Sequence, residues 1–239
     1  MKNVSGSTAS EAKMIRAIQA AVGAVQDGSI GAQTMSDIAA RLGADCFPLA
    51  LTIYGQPVII ARDALPAAVS GPLAGYANAI SGTFSYANRP CSILVTHGET
   101  VCGYACHAHL GKPESVLYRT QDGRFGFKRC LYAAELPSAT AWAVGGVGLL
   151  ESWDPEAEGF AGAYADVLRR TAHTFLGVKQ NYTYLGYCSN MTGAEVNAHV
   201  RRLGLELAIM LDGGHVAAIH SAETRINTGT RQYAIVQGI

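Results

Sequence analysis

The sequence predicts an α+β fold: a twisted sheet, mixed or largely antiparallel, with helices packed beside it and a small helical hairpin in front. Three observations carry this expectation. Apolar residues recur at helical spacing near the N-terminus. From Phe47 onward short apolar runs alternate with turn-forming Gly, Asp and Asn residues. One later segment, Thr192 to Gly204, carries the signature of a complete helix, from start to stop.

The chain has 239 residues, 49% of them hydrophobic and 15% charged, with eighteen basic and eighteen acidic side chains in balance. That composition excludes intrinsic disorder, which needs low hydrophobicity and high net charge. It also provides no global field for gripping a polyanion, so no nucleic-acid partner is expected, and Arg169–Arg170 and Arg201–Arg202 read as solvated helix ends. No apolar run approaches the ~18 residues of a membrane span. The first eight residues lack a signal-peptide apolar segment, so the protein is expected to stay where it is made or to leave by another route, such as phage lysis or virion association. Six cysteines are too sparse for a disulfide scaffold and read mostly as buried thiols.

Element by element, Met14, Ile15, Ile18, Ala21 and Val22 line one face of a first helix. A turn-rich link from Gly23 to Gly31 leads to a second helix over Ala32–Leu42, capped by Gly43. Hairpins are expected from Leu49–Tyr54 with Val58–Ala61, from Ser92–Thr96 with Thr100–Tyr104, and from Ser115–Arg119 with Arg124–Arg129 around Asp122-Gly123. Trp142–Leu150 reads as a buried strand whose Gly145, Gly146 and Gly148 mark close backbone approach. A helix near Glu158–Arg169 and paired strands at Thr174–Lys179 and Tyr182–Cys188 follow. Thr192 and Glu195 form a capping box before Val196, His199, Val200 and Leu203, and Gly204 ends that helix. Leu207–Leu211 then delivers Asp212-Gly213-Gly214-His215 to the end of a buried strand. Two glycines beside a carboxylate let backbone amides and a ligand come close together there.

Two resemblances add to this reading. Ile15-x-x-Ile18-Gln19-x-x-Val22-Gly23 and Asp27-Gly28-x-Ile30-Gly31-x-x-Thr34 resemble the second half of the peptidoglycan-binding-like helical domain of cell-wall hydrolases, without its first helix. Leu211-Asp212-Gly213-Gly214, with Met191-Thr192-x-x-Glu195 about twenty residues earlier, resembles the phosphodiester glycosidase family of uncovering-enzyme type. Ala79-Ile80-Ser81-Gly82-Thr83-Phe84, Pro90 to Val101, Gly145-Gly146, His173-Thr174-Phe175-Leu176-Gly177-Val178 and Arg231 resemble further family blocks in the right order, over roughly residues 70–239. The chain departs from the family pattern at Ser81, which replaces an asparagine, at His173, which replaces an arginine, and at His215, which replaces a glycine or serine.

The resemblances imply a helical hairpin over residues 1–45, a phosphodiester glycosidase-like domain over 46–239, and hydrolysis of a sugar-1-phosphodiester bond such as an N-acetylglucosamine 1-phosphodiester. A bacterial cell-wall glycan is the implied substrate. Asp212, His215 and His173 are the expected catalytic residues, with Thr174, Ser81, Gly213, Gly214 and Arg231 binding substrate. Asp212 would act at the anomeric centre, and the two histidines at the phosphate or leaving group. Two other readings stay open: a non-catalytic glycan-binding or virion structural protein, and an enzyme acting on a nucleotide-type glycosyl phosphate. No cofactor is implied. A divalent metal is left as an alternative, since Cys102, Cys106, His107 and His109 place four zinc-type donors within eight residues, although in no standard finger spacing.

Overall fold

The computed structural model describes residues 9–29, 34 and 48–239. Helix α1 (Ala9–Val22) is followed by strands β1 (Leu49–Ile53), β2 (Gln56–Ala61), β3 (Ala64–Pro72), β4 (Ala79–Ser81), β5 (Ser85–Tyr86), β6 (Arg89–Pro90), β7 (Leu94–Thr96) and β8 (Glu99–Cys102). Next come β9 (Glu114–Thr120), β10 (Phe125–Cys130), β11 (Thr140–Gly148), β12 (Thr171–Lys179) and β13 (Tyr182–Met191). Helix α2 (Gly193–Leu203), β14 (Leu207–Gly213), β15 (Ile219–His220), β16 (Arg225–Ile226) and β17 (Arg231–Gly238) complete the chain.

These strands build two large sheets and one small hairpin. Ten strands form the first, in the order β1-β2-β13-β12-β14-β11-β7-β8, with β9 joining β11 and β10 joining β9. Five form the second, in the order β16-β15-β4-β17-β3, and β5 pairs β6 alone. Every strand pairing among the described residues is antiparallel. The expected α+β class is therefore corrected: the fold is β-rich, and no layer of helices backs its sheets. One cause is the segment near Glu158–Arg169. Gly159 and Gly162 sit at φ +88° and +56°, which an α-helix cannot accommodate, and only a 3₁₀ turn over Gly162–Leu168 forms. The expected second helix at Ala32–Leu42 lies outside the described residues, apart from Thr34.

The large sheet is the middle layer. Along its central strands successive side chains enter opposite cores: Val58 and Ile60 against Ile59, Phe175 against Leu176, Tyr184 against Leu185, Ala208 and Met210 against Ile209 and Leu211. A strand apolar on both faces needs cover on both. Helix α2 supplies part of one cover through Val196, Val200 and Leu203, joined by Ile15 and Ile18 of α1. The five-stranded sheet supplies the other through Ala64, Ile80, Ile219, Ala234 and Val236. The α2 ends are as expected: the Thr192 hydroxyl accepts the Glu195 amide at 3.3 Å, Glu195 accepts the Thr192 amide at 2.7 Å, and Gly204 closes the helix at φ +68°. No helix among the described residues is long and apolar enough to cross a membrane.

In the N-terminal unit the motif residues bond to one another. The buried Gln19 carboxamide donates to Asp27 at 2.6 Å, to the Ser29 carbonyl at 2.8 Å and to Thr34 at 3.0 Å, and accepts the Gly28 amide at 2.9 Å. A buried amide whose groups are all paired shapes its own loop.

A second buried polar group sits at the start of β9. The Glu114 carboxylate accepts the amides of Ile93 (2.6 Å) and Cys106 (3.2 Å) and a short hydrogen bond from the Ser92 hydroxyl. Burial pushes its pKa up to about 7, against the lowering effect of those donors. Because the folded-state value lies above the ordinary 4.5, Glu114 stabilises the fold fully in acid, and that contribution fades as pH rises towards about 7. Urea unfolding across this window should show stability falling with rising pH, with a flatter profile for Glu114→Gln. Glu114→Ala should cost about 3 kcal/mol or more by stranding two buried donors, at Ser92 and Ile93, and the partly buried Cys106 amide. Close packing gives a further prediction. A Cβ at Gly146 would collide with the Met210 carbonyl oxygen across the β11–β14 pair, so Gly146→Ala should lower stability by about 2 kcal/mol in the same measurement.

Candidate functional site

Three strands from two sheets fix the position of Asp212. Its amide donates to the Gly82 carbonyl at 3.0 Å, beyond the end of β4. Its carbonyl accepts from the Thr174 hydroxyl of β12 at 2.9 Å, and that hydroxyl lies 3.2 Å from the Ser81 carbonyl as well. Gly82 lies flat on β17, where a Cβ would stand 2.8 Å from the Ala234 backbone. The Ser81 hydroxyl donates to the Val216 carbonyl at 2.5 Å and accepts the Ala218 amide at 2.8 Å, which pins the chain just after Asp212-Gly213-Gly214. Ser81 and Thr174 are fully buried, so the structure places both beneath Asp212 as backbone supports.

The Asp212 side chain points to the surface side of this support. Its Oδ1 accepts the Gly213 amide at 2.9 Å, and its Oδ2 faces the Ser85 hydroxyl at 3.4 Å. Desolvation pushes its pKa up to about 6, opposed by bonds from Gly213 and Ser85. A carboxyl retained in such a setting beside open space is the kind of group that active sites use.

Two adjoining cavities meet at this carboxylate, sharing Ser85, Asp166, Val167 and Asp212 as a common wall. One, of about 320 Å³, is polar: Arg169, Thr171, Gly213, Gly214 and His215 line it. Arg169 is held by Asp166 at 2.7 Å, and Gly214 adopts φ +65° so that the chain can turn beside the guanidinium. The other, of about 740 Å³, is aromatic, with Phe84, Tyr86, His107, His109, Phe160 and Tyr164 in its wall. His107 is the centre of that wall, its ring centroid 4.6 Å from those of both Phe160 and Tyr164 and its Nδ1 3.1 Å from the Glu158 carbonyl oxygen.

Of the residues expected from the sequence, the structure brings Asp212, Gly213, Gly214 and His215 together around the polar cavity. His173 lies behind them, fully buried; its Nε2 is 2.9 Å from the Met191 carbonyl and 3.1 Å from that of Arg169. Both neighbours are acceptors, so Nε2 carries the proton, and burial lowers the pKa of the ring. Arg231 stands exposed at the first position of β17, outside the walls of both cavities. The four proposed zinc donors diverge: Cys102 turns to the Tyr104 carbonyl, Cys106 to Cys91, and His107 to Glu158. Among the described residues no three His, Cys, Asp or Glu side chains gather as a metal set. Sequence reasoning missed Ser85, Asp166, Arg169 and the aromatic wall. Arg169 was visible only as a paired arginine, and Ser85 only as the residue after the Ser81–Phe84 block.

No family model matches the sequence, and no curated protein matches it. Solved structures do share its fold. A hypothetical protein from Synechocystis is similar at a TM-score of 0.57 and 12% identity, covering 79% of this chain; this chain spans only 60% of that protein's length. An exported protein of Burkholderia pseudomallei is similar at 0.54 and 11%, over 76% of this chain and 73% of that one. The catalytic domain of zebrafish N-acetylglucosamine-1-phosphodiester alpha-N-acetylglucosaminidase, auto-inhibited by its pro-peptide, is similar at 0.56 and 13%, over 78% of this chain and 80% of that domain. The β-rich architecture is thus shared with a glycosidase catalytic domain.

Proposed function

We propose that this protein hydrolyses a glycosyl phosphodiester bond, with Asp212 acting at the anomeric carbon. The observation that carries the reading is the position of Asp212 on the wall between a polar cavity and an aromatic one. A glycosyl phosphate has the same two halves. Its phosphate suits Arg169, whose planar fork can bind two oxygens, together with His215 and the turn at Gly213-Gly214. Its sugar ring suits the faces of Tyr86 and Tyr164. As the C1–O bond lengthens, positive charge grows on the ring, and an ionised Asp212 stabilises it or directs a water to it. His215 stands exposed on the phosphate side, where it can give a proton to the leaving oxygen. His173 acts at one remove, holding the backbone behind Gly213 through its bonds to residues 169 and 191. The fold shared with a glycosidase catalytic domain supports this reading, and the N-terminal motif favours a cell-wall glycan as the natural substrate.

A second reading is favoured by the aromatic wall. The exposed ring of Tyr164, backed by the buried His107 and Phe160, could stack on a nucleobase, which would make the substrate a nucleotide-type glycosyl phosphate.

The deciding experiment is hydrolysis of a chromogenic N-acetylglucosamine 1-phosphodiester, run beside a panel of nucleotide sugars. Asp212→Asn should reduce kcat/KM by roughly 10³-fold or more while the protein stays folded; an undiminished rate would overturn the assignment. With an ionised Asp212 as the active form, kcat/KM should rise with pH through about 6. That rising limb should vanish in the residual activity of Asp212→Asn; a limb that persists there belongs to another group and would overturn the assignment. Arg169→Ala should raise KM by roughly tenfold or more, the loss expected when a charged hydrogen-bond partner is removed.

A further inference from the structure

The aromatic cavity holds two cysteines that the proposed hydrolysis does not use. Cys91 and Cys106 face one another across its wall with their sulfurs 3.9 Å apart. Both are partly exposed, whereas Cys102, Cys130 and Cys188 are buried. They belong to different segments. Cys91 closes the β5–β6 hairpin, its amide donating to the Phe84 carbonyl at 2.9 Å, and Cys106 lies on the loop after β8, its amide held by Glu114 at 3.2 Å.

We propose that Cys91 and Cys106 are a covalent modification site: an oxidisable pair that a low-molecular-weight disulfide converts into an intramolecular disulfide in the cavity wall. A disulfide needs its sulfurs about 2.05 Å apart, so the pair must close by less than the width of one atom. The chemistry is ordinary thiol–disulfide exchange. The Cys91 thiol gives its proton to solvent, and the thiolate attacks one sulfur of R–S–S–R, forming a mixed disulfide and expelling RS⁻. Cys106 then loses its proton to solvent and attacks the Cys91 sulfur, forming the Cys91–Cys106 bond and expelling the second RS⁻. The protein gives up two electrons and two protons, and the small disulfide becomes two thiols. Either sulfur can be the donor in the S–H···S contact, so the exchange can equally open at Cys106 and resolve at Cys91, with the same bond and the same two thiols as products. The product would tie the hairpin that carries Ser85 and Tyr86 to the loop that carries His107, fixing two walls of the cavity relative to one another.

The test uses the full chain and oxidised glutathione, followed by blocking of free thiols and tryptic mapping. Trypsin does not cut before Pro90 or Pro113, so residues 63–119 leave as one peptide that contains Cys91, Cys102 and Cys106. That peptide should lose the mass of two hydrogens and keep a single blockable thiol, at Cys102. Cys91 and Cys106 should be consumed ~10-fold or more faster than the buried Cys102 and Cys130. Cys102→Ala should still form the bridge, and Cys106→Ser should stop at a glutathione adduct on Cys91. A bridge that includes Cys102, a Cys106→Ser adduct found elsewhere, or Cys91 and Cys106 no more reactive than the buried cysteines would each overturn the proposal. The wild-type map decides the main point whether or not the variants fold, and none of these readouts depends on hydrolysis.

Discussion

A sheet that is apolar on both faces has to be covered twice, and the rest of this molecule is arranged to do so. Alternation along β2, β12, β13 and β14 drives Phe175 and Met210 one way and Leu176 and Ile209 the other. One side is covered in part by α2 and α1 and otherwise by loop residues such as Phe84, Trp153 and Phe160, the other by the five-stranded sheet. The two sheets pack on one another through a shared core, and β14 ends where they also meet through the backbone. There the Asp212 amide bonds to Gly82 after β4 while its carbonyl takes the Thr174 hydroxyl of β12. The position of the carboxylate thus follows from core packing, with Gly82 and Thr174 holding its backbone from behind.

Much of this was legible in the sequence, for local reasons. Turns announce themselves: Tyr54-Gly55 and His97-Gly98 both take positive φ at two successive residues, the geometry that a tight hairpin demands. The α2 capping box and its closing glycine are equally local signals. The second sheet was not legible. Its longer strands pair residues far apart in the chain, as in Ala64 with Gly238, and β3 carries Pro66 and Pro72, which weaken any strand reading. Without that sheet, the helical spacing near the N-terminus and the Thr192–Gly204 signature carry more weight than the fold gives them, and the sequence reads as α+β.

The site shows a similar division. Asp212, Gly213, Gly214 and His215 were found because they are contiguous and end a strand. The family resemblance also points to Ser81, Thr174 and His173, which here hydrogen-bond the backbone of neighbouring segments. Sequence cannot distinguish a buried hydroxyl that supports a strand end from one that meets a ligand, since both interrupt an apolar run. The aromatic wall was invisible for the opposite reason. Phe84, His107, Phe160 and Tyr164 are scattered over eighty residues and are joined only by the fold.

Under the proposed hydrolysis, the shared wall at Asp212 would have a kinetic consequence. Each cavity has its own exposed rim, Tyr86 and Tyr164 on one side, Arg169 and His215 on the other. A substrate divided at that wall would leave one fragment in each chamber, and neither fragment would have to pass the other on its way out. Departure would then be free of any obligatory order, and each product would compete only for its own half of the site.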